Sequence, residues 1–232
     1  MYSNHFLLHW LMGYEAKRKR TLAIAPEGPL KHFLSKPLPP PQTPLEDIEL
    51  LSVDFETTGL DAVNDKLLSV GFVEMTHQQI ALNHCYHKII NTEQALTPEN
   101  VIIHQITDDQ KAQGAPLKEV IDDLLYALTG KIMVVHFARI ERQFLRQACL
   151  EVYGVAPPLA IIDTLVLAKR KLDKRDVAYD PSELRLGAVR QAHQLPEYYA
   201  HNALNDAVAT AELLLAQLST MSEQVRLKEL LL

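Results

Sequence analysis

Apolar residues along this chain switch between two spacings. Ile48, Leu50, Leu51, Val53 and Phe55 make a dense apolar run that predicts a strand over residues 48–56. Residues 66–75, reading Lys-Leu-Leu-Ser-Val-Gly-Phe-Val-Glu-Met, predict a second strand, and residues 78–90 a third after a short turn at Thr76 and His77. Three strands in such close succession form an antiparallel meander. The period then lengthens. Leu117, Val120, Ile121, Leu124, Leu125 and Leu128 recur at helix spacing and predict a helix over 117–128. A short buried strand follows at 132–135, a helix at 140–152 and another short strand at 159–162. Helices are predicted at 164–171, 182–193 and 203–220. Alternation of strand and helix in this half implies parallel strands.

Residues 1–45 follow a different pattern. A helix over 5–20 would carry Phe6, Leu7, Trp10, Leu11 and Tyr14 on one side, and residues 30–34 are helix-like. The proline-rich stretch 37–44 enforces an extended linker. The chain therefore divides into an N-terminal helical arm with its linker (1–45), a main domain (46–220) and a C-terminal helical tail (221–232). Burial of Phe6 and Trp10 requires the arm to pack on the domain or on a partner.

Composition narrows the function classes. The 232 residues are 47% apolar, which supports a well-filled core. No apolar run reaches the ~18 residues that span a membrane. The first eleven residues lack the features of a secretory signal, and Cys85 and Cys149 show no metal-type spacing. Free thiols in a cytoplasmic protein are the expectation. A net charge of −6 argues against a broad basic face for duplex DNA. The basic runs at 17–20, 169–171 and 174–175 read first as solvated helix faces and second as phosphate contacts.

The chemistry gathers at the end of the first strand. Asp54 and Glu56 are two residues apart, so on a strand they project from one face. Two carboxylates that close resist ionisation unless a cation lies between them. Hard oxygen ligands on a rigid element suit Mg²⁺ or Mn²⁺. The bland alternative for two such acids is a solvated strand end. Further along, Asp206 falls in the first turn of the last long helix, with His201 just before it and Asn202 or Asn205 as its cap. Alone, Asp206 reads as a favourable dipole interaction. Glu141 lies just past the strand at 132–135 and alone reads as a surface acid, paired with Arg139 or Arg142.

Taken together, these segments resemble the DEDDh (DnaQ-like) branch of the DEDD exonuclease superfamily, nearest to the proofreading exonucleases of bacterial replicative polymerases. Asp54 and Glu56 in D-F-E-T-T-G-L match its first motif, and His201 and Asp206 in H-N-A-L-N-D-A match its third. Ile103-His104-Gln105-Ile106-Thr107 is similar to its I-H-G-I-T segment, and Ile162-Asp163-Thr164 to its I-D-T. The second motif departs from the pattern. Where the family has asparagine, phenylalanine and aspartate, this chain has Phe137, Ile140 and Glu141.

The resemblance implies a ribonuclease H-like α/β fold, with a mixed five-stranded sheet flanked by helices and preceded by the N-terminal arm. It implies a 3′–5′ exonuclease that releases nucleoside 5′-monophosphates with two divalent ions, Mg²⁺ or Mn²⁺. Asp54, Glu56, Glu141 and Asp206 would be the metal ligands. Asp54 would bridge, Glu56 and Asp206 would complete one site, and Glu141 would support the other. His201 is the expected general base, since an imidazole titrates near neutrality. Thr57, Thr58, Leu60, His104 and Ile106 are the expected substrate contacts, with packing at the cleft edge as the alternative for the last three. DNA is the favoured substrate, RNA the runner-up, and a polymerase or repair protein the expected partner. A catalytically weak binding module is the alternative of another class.

Overall fold

The computed structural model describes residues 3–92, 104, 106–175, 177–221 and 224–232, with side chains from residue 13 onward. Five strands form one sheet: β1 (Leu50–Thr57), β2 (Leu67–Met75), β3 (Ile80–Ile89), β4 (Ile132–Val135) and β5 (Ile161–Asp163), in the order β3-β2-β1-β4-β5. The first three pair antiparallel, as the close spacing of their apolar runs requires, whereas β1–β4 and β4–β5 are parallel. This is the expected mixed sheet. Parallel neighbours place the C-terminal ends of β1, β4 and β5 along one edge, where side chains on the following loops can converge.

Nine helices are described: α1 (Ser3–Ile24), α2 (Pro29–Ser35), α3 (Asp108–Ala112), α4 (Leu117–Leu128), α5 (Arg139–Tyr153), α6 (Thr164–Asp173), α7 (Leu186–Ala192), α8 (Ala203–Leu218) and α9 (Leu227–Leu230). The period-2 rule divides them between the two faces of the sheet. Leu51, Val53 and Phe55 of β1 face a core shared with Leu124 of α4 and Leu145 of α5. Leu50, on the opposite face, joins Ala211 and Leu214 of α8 and Leu227 and Leu230 of α9. The next even positions on that face, Ser52, Asp54 and Glu56, are polar. The helix that covers them is therefore held by polar contacts as well as by packing.

The N-terminal helices join this body directly. Leu30 and Leu34 of α2 have no exposed surface and belong to the same core as Val53. Arg18 donates to Glu15 and to the Leu34 carbonyl, clamping α1 to α2. Within the basic run 17–20, Arg18 is thus buried, while its neighbours Lys17, Lys19 and Arg20 are exposed. The apolar face assigned to Phe6, Leu7, Trp10 and Leu11 lies outside the described side chains.

The helix expected over 182–193 is two pieces. Residues Pro181–Leu184 form a tight 3₁₀ turn, Arg185 is extended at φ −65° and ψ 146°, and α7 begins only at Leu186. The Asp180 side chain accepts the Ser182 N–H while Glu183 reaches back to the Asp180 N–H. This reciprocal cap starts the short turn, and the extended Arg185 ends it. Among the described residues no helix is long and apolar enough to cross a membrane.

Candidate active site

Register places the first acids. Asp54 pairs with Gly71 across β1–β2, and Gly71 pairs with His87 across β2–β3. A Cβ on Gly71 would lie 2.2 Å from the Ala203 carbonyl carbon and from the Leu204 nitrogen. Only glycine lets the start of α8 descend onto the sheet at this point. Ser52 secures the same helix, donating to the Ala207 carbonyl at 2.7 Å. Together they bring Asp206 down beside Asp54 and Glu56. One carboxylate oxygen from each of these three lies within 4.8 Å of the others.

Their surroundings leave that negative charge uncompensated. Glu56, Asp206 and Glu141 are buried, and Asp54 keeps a partly open face although protein rings it. Desolvation, then the charges of Asp206, Glu141 and Glu56, push the Asp54 carboxyl well above the ordinary carboxylate range. Burial, then the charge of Asp163, does the same to Glu141. Asp206 is raised by burial and by Glu56, against contacts with Tyr198 and His201 that favour its charged form. Among the described residues no lysine or arginine pairs with any of the four, and Arg139 and Arg142 form no ion pair with Glu141. Glu56 Oε1 and Glu141 Oε2 are buried without a hydrogen-bond partner. Buried carboxylate oxygens without protein donors fit a divalent cation.

His201 stands in the left-handed region at φ 65°, on an exposed loop. Its N–H donates to Asp206 Oδ2 at 2.8 Å, and Asn202 Oδ1 caps α8 by accepting from Leu204 and Asn205. Arg190, 2% exposed, braces this loop. It donates to the Pro196 carbonyl at 3.0 Å, pairs with Glu212 at 2.8 Å and lies 4.8 Å from the Tyr198 ring centroid. His104 approaches from the other side, with Nδ1 2.6 Å from Glu56 Oε2 but not aligned as a hydrogen bond. Its ring centroid is 6.4 Å from that of His201. Both imidazoles, with His87, Ile106 and Tyr199, line a cavity of about 340 Å³ next to the acids.

Thr57 Oγ1 donates to the Gly59 carbonyl, and Thr58 Oγ1 bonds Asp65 and accepts the Lys66 N–H, so both hydroxyls close the loop after β1. Leu60 at the tip of that loop is 74% exposed, whereas Ile106 is buried. Ile103 and Gln105 lie outside the described residues. Glu141, in the first turn of α5, is outside the set of three acids whose ligand atoms meet within 4.8 Å.

Three further residues shape the site: Asp163, visible in the sequence only as part of the I-D-T segment and without this role, and His87 and Tyr198, not singled out there at all. Asp163 accepts the N–H groups of Phe137, Ala138 and Leu165 at 2.8–3.0 Å, fixing the turn that leads to Glu141 and capping α6. Its place at a strand–helix border, followed by threonine, is a capping signal that points to it. His87 carries no local signal, because only the β2–β3 register turns it toward the acids. Nor does Tyr198, whose contact with Asp206 depends on the fold of the loop.

Residues 51–214 match the Exonuclease family (RNase_T). The chain belongs to this exonuclease family. Exonucleases of this type use two divalent metal ions, and the buried acids fit that requirement. Over 178 residues the chain is 31% identical to the PolC-type DNA polymerase III of Thermotoga petrophila, covering 77% of this chain and 12% of that protein. It is 27% identical over 163 residues to the 3′-5′ exonuclease DinG of Staphylococcus epidermidis, covering 70% of this chain and 17% of that one. The chain thus spans only a small part of the length of these relatives. The exonuclease fold is also that of the nuclease domain of 3′hExo, a DEDDh family member bound to rAMP. There the TM-score is 0.64 and identity 13%, over 77% of this chain and 95% of that one. Cell-death related nuclease 4 gives a TM-score of 0.65 at 17% identity, over 78% of this chain and 66% of that one.

Proposed function

We propose that this exonuclease-family domain removes nucleotides from the 3′ ends of DNA strands, single-stranded or frayed, and releases nucleoside 5′-monophosphates. The observation that carries this reading is the meeting of Asp54, Glu56 and Asp206 within 4.8 Å, with Glu56 and Asp206 buried and, among the described residues, no lysine or arginine paired with any of them. Two divalent ions held there would supply an activated water and charge relief at the phosphorus. Asp54, Glu56 and Asp206 would hold the ions, with Glu141 in support. The His201 imidazole takes the proton of the attacking water, on a loop whose backbone is already tied to Asp206. His104 steadies Glu56. Leu60, His104 and Ile106 receive the terminal nucleotide, with the backbone around Thr57 and Thr58 near its sugar.

The preference for DNA leans on the relatives that are named as parts of DNA polymerase III, which also favour a polymerase or repair complex as the setting. The rAMP-bound structural neighbour favours RNA as a second reading. An exposed free thiol at Cys85 suits a reducing cytoplasm. The deciding experiment incubates the protein with Mg²⁺ or Mn²⁺ and matched single-stranded, duplex and mismatched DNA and single-stranded RNA, all labelled at the 3′ end. Mononucleotide release from DNA that ends on Asp54→Asn substitution is the expected result. Release from RNA alone would replace the substrate assignment, and parental-rate release by the Asp54→Asn protein would overturn the metal assignment.

A further inference from the structure

The turn after β4 holds a residue that its local chemistry disfavours. Phe137 adopts φ 77°, a left-handed conformation that asparagine accepts readily and a bulky aromatic does not. The conformation is imposed by a buried neighbour. Asp163, 4% exposed, accepts the Phe137 N–H at 3.0 Å on one oxygen and the Ala138 N–H at 2.8 Å on the other. Nothing in the core is gained by this, because the Phe137 side chain remains 42% exposed. Strain maintained by over-determining contacts, with the strained side chain turned to solvent, marks functional positions.

Its place in the fold gives the ring a use. Phe137 lies two residues beyond β4 and four before Glu141, at the sheet edge where β1 delivers Asp54 and Glu56. Two further loops at this edge each present an exposed apolar side chain: Leu60, 74% exposed, four residues after Glu56, and Tyr199, 88% exposed, two residues before His201. Exposed large aromatics among the described residues are otherwise represented by Tyr126, which sits on α4 against His32. A chain with net charge −6 has no broad basic face for phosphates, so base stacking adds to the grip on a strand beyond the contacts at the acids.

We propose that Phe137 is a substrate-binding residue that stacks on one nucleobase of the bound strand. This rests on the exonuclease reading and adds a contact at a position where the resembling family carries asparagine. The test compares the parental protein with Phe137→Asn and Phe137→Trp, using Mn²⁺ and a single-stranded oligodeoxynucleotide. KM, kcat and the unfolding temperature are measured for each. A second substrate set carries one abasic site, moved through the nucleotides nearest the 3′ end.

Phe137→Asn is expected to raise KM about tenfold or more, the worth of one base–aromatic stack, with kcat changed by less than about twofold. Its unfolding temperature should rise, since asparagine relieves the backbone. Opposite movements of stability and affinity are not what loss of a packing residue produces. Phe137→Trp should keep the parental KM. At one abasic position the difference between parental and Phe137→Asn proteins should vanish. An unchanged KM in Phe137→Asn, or a KM penalty equal at every abasic position, overturns the proposal while the parental activity stands. Absence of mononucleotide release by the parental protein overturns the exonuclease reading itself, and this inference with it.

Discussion

The two walls of the site are built by different means. One wall comes from β1 and the start of α8, where a glycine opposite Asp54 and the Ser52–Ala207 bond press Asp206 against Asp54 and Glu56. Its acids follow the family pattern and crowd one another within 4.8 Å. The other wall is the turn from β4 into α5. It departs from the family at Phe137, Ile140 and Glu141, is strained at Phe137, and is held in shape by Asp163. On the first wall the acids destabilise each other. On the second a single longer acid is buried behind a braced turn. A site can therefore keep its ligand geometry on the regular, sheet-borne side and vary on the side that a turn supports.

That contrast breaks if the first wall does not govern turnover. His201 is tied to this wall by its backbone bond to Asp206. His201→Ala is expected to lower turnover by about 10²–10⁴-fold, the usual worth of a positioned general base. An Ala variant with parental rates across pH 6–9 would remove the imidazole from that role.

The second wall is tested more finely by Glu141→Asp. Loss of one methylene draws the carboxylate back toward α5, away from acids that it already fails to meet within 4.8 Å. A misplacement of about 1 Å costs about 10²-fold in well-ordered sites, and a fall of roughly that size is expected. It should come with a higher Mn²⁺ requirement in an activity titration. A Glu141→Asp protein as active as the parent, at the same metal concentration, would mean that the longer acid has no positional purpose here.

How much of this was legible in the residues depended on the range of the forces. The helix at 117–128 and the strand at 132–135 were readable to the residue, because one apolar face at regular spacing settles each. The three acids that meet were readable through motifs and strand alternation. Residues whose role comes from distant partners were not. Arg18 looks solvated until the α2 carbonyl appears beside it, and Asp163 is only part of an I-D-T segment until it grips the turn before Glu141. The strain at Phe137 is invisible in composition, because it arises from that grip. The break at Arg185 had local cues in Asp180, Pro181 and Glu183, but the apolar period ran straight across it.

The smallest expected effect sharpens the first wall without any substrate. Asp54, Asp206 and Glu141 have carboxyl groups raised by burial and mutual repulsion, so the folded state binds their protons more tightly than the unfolded chain does. Such groups contribute their full stability below the ordinary carboxylate pKa, near 4, and lose it as pH rises through the elevated folded values. Metal-free protein should therefore lose stability on the alkaline side of about pH 4, at about 1.4 kcal/mol for each unit by which a pKa is raised. Buried His136, lowered by desolvation, works in the opposite direction around its ordinary value, so the acids are best isolated by difference. In a chelator, Asp54→Asn should unfold close to the parental temperature at pH 4 and above it at pH 8. The gap should be about 2–4 °C for each kcal/mol of repulsion removed. Adding Mn²⁺ at pH 8 should reverse the order, since the parent gains a ligand that the variant holds less well. Thermal melts that keep a constant gap across this range, with no reversal by Mn²⁺, would mean that Asp54 carries no excess charge burden and that a cation has no privileged place beside it.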